Sequence, residues 1–137
     1  MEVKIESKVG VLRSDINVIY GFLSDCTNFK KFTENEKIKD LQVDIDSFSF
    51  AVDEMGIVSF HIIERRPNEL IKFSIENAKA ESMFLWVQLK SVSTIDTRVK
   101  LTAKLEVNSV MSMIIKKPLK NGLDKVVETL EYVCTLQ

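Results

Sequence analysis

Few residues in this sequence have the types and spacing that catalysis requires. The single histidine, His61, lies between Phe60 and Ile62 in a segment of alternating apolar and polar residues. This alternation places the two apolar neighbours on a buried face and His61 on the solvent face. Nucleophilic catalysis by Cys26 or Cys134 would need a base within hydrogen-bonding reach, and neither cysteine has a histidine close in sequence. The sequence therefore predicts a surface histidine, with a general base as the alternative, and no catalytic residue.

The cysteines and the acidic residues also lack the spacing of a metal site. Cys26 and Cys134 are far apart and belong to no Cys-x-x-Cys motif, so we expect two small buried hydrophobic side chains. Acidic pairs such as Asp44 and Asp46 fall on turns and polar rows, where a solvated charge is the usual role. The chain contains no phosphate-binding loop and no dinucleotide-binding glycine motif. We therefore expect neither a metal nor a cofactor.

The overall composition narrows the class of protein. The 137 residues fit one domain, residues 1–137, that can bury a core without a metal or disulfide. The 19 basic residues nearly balance the 20 acidic ones, which argues against nucleic acid as a partner, because such a partner requires a basic face. The first residues lack the apolar core of a signal peptide, and no stretch approaches the roughly 20 apolar residues of a membrane span. We therefore expect a cytoplasmic protein with no integral membrane association.

The apolar periodicity predicts the elements that would position a site. The chain opens with a strand in which Ser7 is the one polar residue on the buried face. A short helix capped by Ser14 or Asp15 follows. A second short helix in CTNFKKF presents Phe29 and Phe32 to the core. The apolar residues on the buried face of the first strand are Val3, Ile5, Val9 and Val11.

Period two then holds through six further runs separated by short turns. Connections this short join antiparallel strands, because a parallel crossover needs a dozen or more residues. The predicted strands are 38–46, 48–53, 57–65, 70–76, 83–92 and 97–107. Their inner rows are Leu41, Val43, Ile45, Phe48, Phe50, Val52, Val58, Phe60, Ile62, Ile71, Phe73, Ile75, Leu85, Val87, Leu89, Val99, Leu101, Ala103, Leu105 and Val107.

Two aromatic residues, Phe84 and Trp86, fall on the predicted solvent face of the sheet. One explanation is that a loop or long lysine side chains cover them. The other is that they form a self-association patch, which would make the protein a homodimer.

A long C-terminal helix is predicted from Asn108 or Ser109, as its cap, to about residue 133. Pro118 lacks an amide hydrogen and its ring crowds the carbonyl of Ile114, so the helix should kink or restart there. Its apolar stripe is formed by Met111, Ile114, Ile115, Leu119, Gly122, Leu123, Val126, Val127, Leu130, Val133 and Cys134.

The first half of this helix has two further features. Lys116, Lys117 and Lys120 form a basic cluster, which is either a solvated face or a contact for an anion or membrane headgroup. We expect Met111 and Met113 to form an adaptable lid over one end of the sheet, because unbranched methionine repacks easily.

The order of one strand, two short helices, a six-stranded meander and a long helix resembles the START-like (SRPBCC) superfamily. The resemblance includes its birch-pollen-allergen and polyketide cyclase/dehydrase relatives, and it implies an α+β helix-grip fold. In that fold a curved seven-stranded antiparallel sheet (β-α-α-β6-α) wraps around the C-terminal helix. The segments that carry the resemblance are INVIYGFLSDCTNFKKF, GIVSFHIIERRPNELIKFS, FLWVQLKSV, DTRVKLTAKLEV and MSMIIKKPLKNGLDKVVETL. The segment DIDSFS stands where the pollen-allergen branch has a glycine-rich loop.

The resemblance also implies an apolar cavity between sheet and helix. The expected function is noncatalytic binding of a hydrophobic small molecule such as a lipid, polyketide or quinone-like compound. Three alternatives remain: plain core packing, a homodimeric protein using the Phe84/Trp86 face, or a polyketide cyclase/dehydrase-like enzyme using polar groups such as Ser7, Tyr20 and Gln88. The expected lining residues are Phe29, Phe32, Phe48, Phe50, Phe60, Phe73, Val87, Leu101, Met111, Ile115 and Leu119.

Overall fold

An antiparallel sheet and a long C-terminal helix dominate the computed structural model, which describes residues 1–32, 38–53, 56–78 and 80–135. The predicted α+β helix-grip architecture is confirmed. The elements in chain order are β1 Glu2–Glu6, β2 Gly10–Leu12, α1 Ile16–Leu23, a 3₁₀-helix Cys26–Phe32, β3 Ile38–Val43, β4 Ser47–Val52, β5 Gly56–Arg66, β6 Leu70–Asn77, β7 Ala80–Ser93, β8 Asp96–Glu106 and α2 Ser109–Thr135.

The strands lie in the order β1-β8-β7-β6-β5-β4-β3, and β2 also pairs with β8. Every pairing is antiparallel. We call the face that packs on α1 and α2 the inner face and the opposite one the outer face. The six meander strands agree with the sequence prediction, and together with the first strand they form one continuous sheet.

The first of the seven predicted strands is divided into β1 and β2, which both pair with β8. Glu6 lies opposite Thr102 and Gly10 lies opposite Val99, so four steps along one strand match three along the other. One extra residue exchanges the two faces of a strand. Val9, predicted to be buried, is therefore 57% exposed, and the next fully buried apolar side chain is Leu12.

Local capping explains where the two short helices begin. The Asp15 side chain accepts a hydrogen bond of 2.8 Å from the Asn17 amide and is the N-cap of α1. Asp25 accepts a hydrogen bond from the Thr27 amide at the start of the 3₁₀-helix. Hydrogen bonds from Thr27 lower the pKa of the Asp25 carboxyl. Both predicted short helices are confirmed.

Two predicted inner-row residues, Ile45 and Val107, lie outside the strands. Ile45 is 58% exposed, because β3 ends at Val43 and the chain turns before β4. The amide of Asp44 donates a hydrogen bond to the Ser47 carbonyl across this turn. The inner rows of β6, β7 and β8 are deeply buried where they meet the helices.

Helix α2 passes through Pro118 without restarting, so that alternative of the prediction is wrong. The side chain of Asn108 caps the helix by accepting a hydrogen bond of 2.8 Å from the Met111 amide. The fully buried side chains of the predicted stripe lie in the C-terminal half, at Leu123, Val127, Leu130 and Cys134, although Val126 in that half is 48% exposed. In the N-terminal half, Met111 and Ile114 are 44% and 61% exposed.

Candidate ligand-binding face

Five phenylalanine side chains meet on the inner side of the molecule. Phe48 lies opposite Phe60 in the β4–β5 pairing, and their rings stack with centroids 4.5 Å apart. The rings of Phe29 and Phe73 contact Phe48 edge-on at 5.1 and 6.0 Å, and Phe50 stacks on it at 6.2 Å. These are favourable aromatic geometries. We call these five residues the aromatic cluster.

Burial falls across the aromatic cluster from one side of the sheet to the other. Phe73 on β6 is 2% exposed, whereas Phe48, Phe50 and Phe60 on β4 and β5 remain partly exposed. The cause is the position of α2, which packs mainly against β1, β2 and β8. The inner face of β3 to β5 is therefore apolar but only partly covered.

The other predicted lining residues fall into three groups. Val87 and Leu101 are buried in the core, at 7% and 2% exposure, and Ile115 and Leu119 of α2 pack against the same core while partly exposed. Met111 is 44% exposed at the start of α2. The backbone of Phe32 ends the 3₁₀-helix, and its side chain lies outside the described residues.

The set of lining residues predicted from the sequence omits several partly exposed apolar residues on the inner side of the sheet. Met83 and Leu85 on β7 pack against the core near the aromatic cluster, as does Ile62 on β5. The signal was available for Leu85 and Ile62, because the alternation already placed both on inner rows. Met83 begins its predicted strand, where a terminal residue carries little periodic information.

Of the three polar groups proposed for the inner face, Ser7 is hydrogen-bonded to backbone groups and Gln88 lies on the outer face. Ser7 is 6% exposed, and its hydroxyl donates to the Lys8 carbonyl and accepts from the Leu101 amide, both at 2.8 Å. Gln88 lies on the outer face, where its side-chain oxygen accepts a hydrogen bond from the Thr102 hydroxyl. The candidate role of Gln88 on the inner face is therefore wrong, since strand alternation turns it away from its inward neighbours.

Both thiols are buried, as predicted. Cys26 is 0% exposed, and burial raises the pKa of its thiol to about 12. Burial likewise raises the pKa of Cys134, which is 2% exposed. A thiol must ionise to act as a nucleophile or metal ligand. The two cysteines therefore act as small hydrophobic side chains of the core.

The histidine lies on the outer face, which confirms the predicted surface position. His61 is exposed and lies opposite Ser47 on β4 and Ser74 on β6. It borders a shallow, open depression of about 270 Å³ that Ser49 and Ser59 also line. Within the part of the chain that the structure describes, no group of three or more His, Cys, Asp or Glu side chains is placed to hold a metal ion.

Lysine side chains cover the two aromatic residues of the outer face. The Lys72 ammonium lies 4.8 Å from the ring centroids of both Phe84 and Trp86, and that of Lys104 lies 5.6 Å from Trp86. An ammonium at this distance is attracted by the ring face. This arrangement agrees with cover by long lysine side chains, one of the two explanations that the sequence left open.

Comparison with known proteins identifies the fold. The chain matches no family model and no curated protein. It resembles a START superfamily protein from Mycobacterium smegmatis, with 14% identity, a TM-score of 0.74, and 98% of this chain and 97% of the other covered. Norcoclaurine synthase from Thalictrum flavum, solved in complex with dopamine and hydroxybenzaldehyde, is 12% identical with a TM-score of 0.76, and 100% and 88% of the two chains are covered.

A more distant likeness is to an HSP90 activator from Plasmodium falciparum, with 15% identity, a TM-score of 0.57, and 80% and 76% of the chains covered. At these identities the comparisons define the fold. The protein has the START-like helix-grip fold, as its sequence pattern predicted. Among the helices in the described ranges, none has the length and apolar character needed to cross a bilayer.

Proposed function

We propose that the protein binds an apolar small molecule against the inner face of β3 to β5. The observation that carries this proposal is the partial exposure of Phe48, Phe50 and Phe60 inside an otherwise buried apolar layer. Covering apolar surface is favourable by about 25 cal/mol per Å². A ligand that completes the layer would gain this free energy.

The chemistry of the face favours a ligand with a flat or extended hydrocarbon body, such as a lipid, polyketide or quinone-like compound. The aromatic cluster offers both ring faces and ring edges for contact. Ile115 and Leu119 of α2, which pack partly exposed against the same core, add aliphatic surface. Apolar walls with few polar groups are typical of small-molecule sites.

We propose binding without catalysis. A cyclase-like reaction needs at least two polar side chains that converge on the ligand. Of the three candidates from the sequence, Ser7 is engaged by backbone groups and Gln88 lies on the outer face. Tyr20 alone is partly buried against the core.

The test compares one inner-face phenylalanine with one on the outer face. Binding of an apolar fluorescent probe, 1-anilinonaphthalene-8-sulfonate, is titrated for the wild type, Phe60→Ser and Phe84→Ser. Loss of the stacked Phe60 ring should weaken binding about tenfold, equivalent to about 1.4 kcal/mol. Phe84→Ser is the matched control, because it also removes one phenylalanine ring but on the outer face. It should leave the affinity for the probe within a factor of two of the wild-type value.

Native mass spectrometry of the purified wild type complements the titration by detecting any retained ligand. Circular dichroism of both variants establishes that each is folded at the titration temperature. Equal weakening by the two substitutions, or a wild type without saturable probe binding, would contradict the proposal.

A further inference from the structure

The first two turns of α2 expose a set of apolar side chains. Val110, Met113 and Ile114 are 68%, 84% and 61% exposed. Their spacing of i, i+3 and i+4 places them on one side of the helix. We call these three residues the α2 patch. Adjoining exposed apolar side chains of this kind mark interaction sites rather than ordinary surface.

The α2 patch faces away from the core of the molecule. On the same turns, Ser112 is 3% exposed and Ile115 packs partly against the core. The Ser112 hydroxyl donates to the Ser109 carbonyl at 2.7 Å, so this polar side chain is satisfied within the helix. The polar Ser112 therefore points inward while the apolar residues of the α2 patch point outward. Packing within this chain alone does not explain that arrangement.

The charged residues of the segment that carries the α2 patch are all positive, and Glu106 at the end of β8 precedes this segment. Residues 107–123 contain three lysines, Lys116, Lys117 and Lys120, and no acidic residue. Lys116 and Lys117 are exposed, and Lys117 lies seven residues after Val110, on the same side of the helix. The nearest acidic residue on the C-terminal side, Asp124, pairs with Lys120 at 3.0 Å.

We propose that the α2 patch docks on the surface of an anionic lipid bilayer. Apolar side chains of a helix enter the boundary between headgroups and acyl chains, and lysines beside them attract anionic headgroups. A second copy of the chain fits the charge less well, because pairing two such patches brings like charges together. Docking would lie on the helix that carries Ile115, but it does not require that a ligand be bound.

Vesicle co-sedimentation of the full chain tests the proposal. Phosphatidylcholine vesicles with phosphatidylserine should bind the wild type, and vesicles of phosphatidylcholine alone should bind it much more weakly. Changing Lys116 and Lys117 together to glutamine should weaken binding to the anionic vesicles about 25-fold, or about fivefold for each lysine. Added salt should have a similar effect, because it screens the attraction.

Two substitutions that add the same charge distinguish insertion of the α2 patch into the bilayer from a general electrostatic effect on vesicle binding. Met113→Glu places a carboxylate in the α2 patch, whereas Val126→Glu places one on the other half of the same helix, at a residue 48% exposed. Met113→Glu should weaken vesicle binding at least tenfold, and Val126→Glu no more than twofold. Both sites are exposed, so both variants should fold, as circular dichroism would establish.

Equal weakening by the two variants, or no binding of the wild type to anionic vesicles, would overturn the proposal. So would sedimentation equilibrium that shows a wild-type dimer dissociated by Met113→Glu, because the α2 patch would then bind a second copy. Probe titration without vesicles separates this result from the ligand-binding proposal. Phe60→Ser should weaken probe binding and leave vesicle binding unchanged.

Discussion

Gly10 is the residue at which the edge of the sheet meets the C-terminal helix. A Cβ at this position would lie 2.4 Å from Cγ1 of Val127 and 3.0 Å from Cγ1 of Val99. Both neighbours are almost fully buried, at 0% and 1% exposure, so neither can move into free space. The absence of a side chain at Gly10 allows β2 and α2 to approach closely.

Gly10→Ala should therefore destabilise the protein by about 1–3 kcal/mol through overpacking. Urea unfolding followed by circular dichroism measures the change. The matched control is Gly21→Ala in α1, where a Cβ meets nothing within 4 Å. The control should be neutral or stabilising by up to about 1 kcal/mol, because alanine favours a helix. If Gly10→Ala were as stable as the control, the close contact with Val127 would be ruled out.

At the scale of elements, α2 consists of two halves with different environments. The C-terminal half packs against the core through the buried side chains of Leu123, Val127 and Leu130. In the same half, the Glu131 carboxylate accepts a hydrogen bond of 3.0 Å from the Val11 amide. The N-terminal half exposes most of its apolar side chains. Pro118 lies between the halves and cannot donate a hydrogen bond to the Ile114 carbonyl.

Amides of residues 112–117 should consequently exchange with solvent faster than those of residues 123–133. Native-state hydrogen exchange measures this difference, because regions with few buried contacts open at low free energy. Pro118→Ala restores the missing donor and should slow exchange in the first half. Gly122→Ala, where a Cβ meets nothing within 4 Å, is the control on the other side of the junction. Uniform protection along α2 would contradict the expected lid.

At the scale of the whole molecule, Asp124 connects the two ends of the chain. Its carboxylate accepts a hydrogen bond of 2.6 Å from the Lys8 amide and another of 3.0 Å from the Lys120 ammonium. The Lys8 ammonium also pairs with Glu128 at 2.9 Å. The hydrogen bond from the Lys8 amide, followed by that from Lys120, lowers the pKa of Asp124 below its ordinary 3.8.

A carboxyl whose pKa is lowered on folding stabilises the protein above its ordinary pKa, and this contribution is lost as the pH falls through the folded pKa. The wild type should therefore have a higher urea midpoint than Asp124→Asn at pH 7. The two midpoints should converge as the pH falls through the lowered folded pKa of Asp124, because its carboxyl then becomes neutral like the asparagine side chain. A difference that persists unchanged at low pH would show that the ionised carboxylate is not the stabilising form.

The sequence predicted the elements and most of their faces because burial on one side imposes a regular period. Alternation identified the six meander strands, and Asp15 and Asn108 were among the predicted caps. Local pattern failed at Val9, where one inserted residue inverted the strand, and at Ile45, where a turn replaced the strand end. A single extra residue leaves no compositional trace, because the apolar residues on either side still alternate.

The candidate site, like the fold, could be predicted from the sequence only in part. The sequence identified the inward phenylalanines, the outward His61 and the buried cysteines, because each follows from alternation or from the preference of a residue type. Its pattern could not tell which half of α2 the sheet would cover, since the apolar stripe extends over both halves. That depends on where the helix crosses the sheet, at β1, β2 and β8. The tertiary packing alone leaves the aromatic cluster partly open and turns Met113 outward, because coverage depends on contacts between residues far apart in the chain.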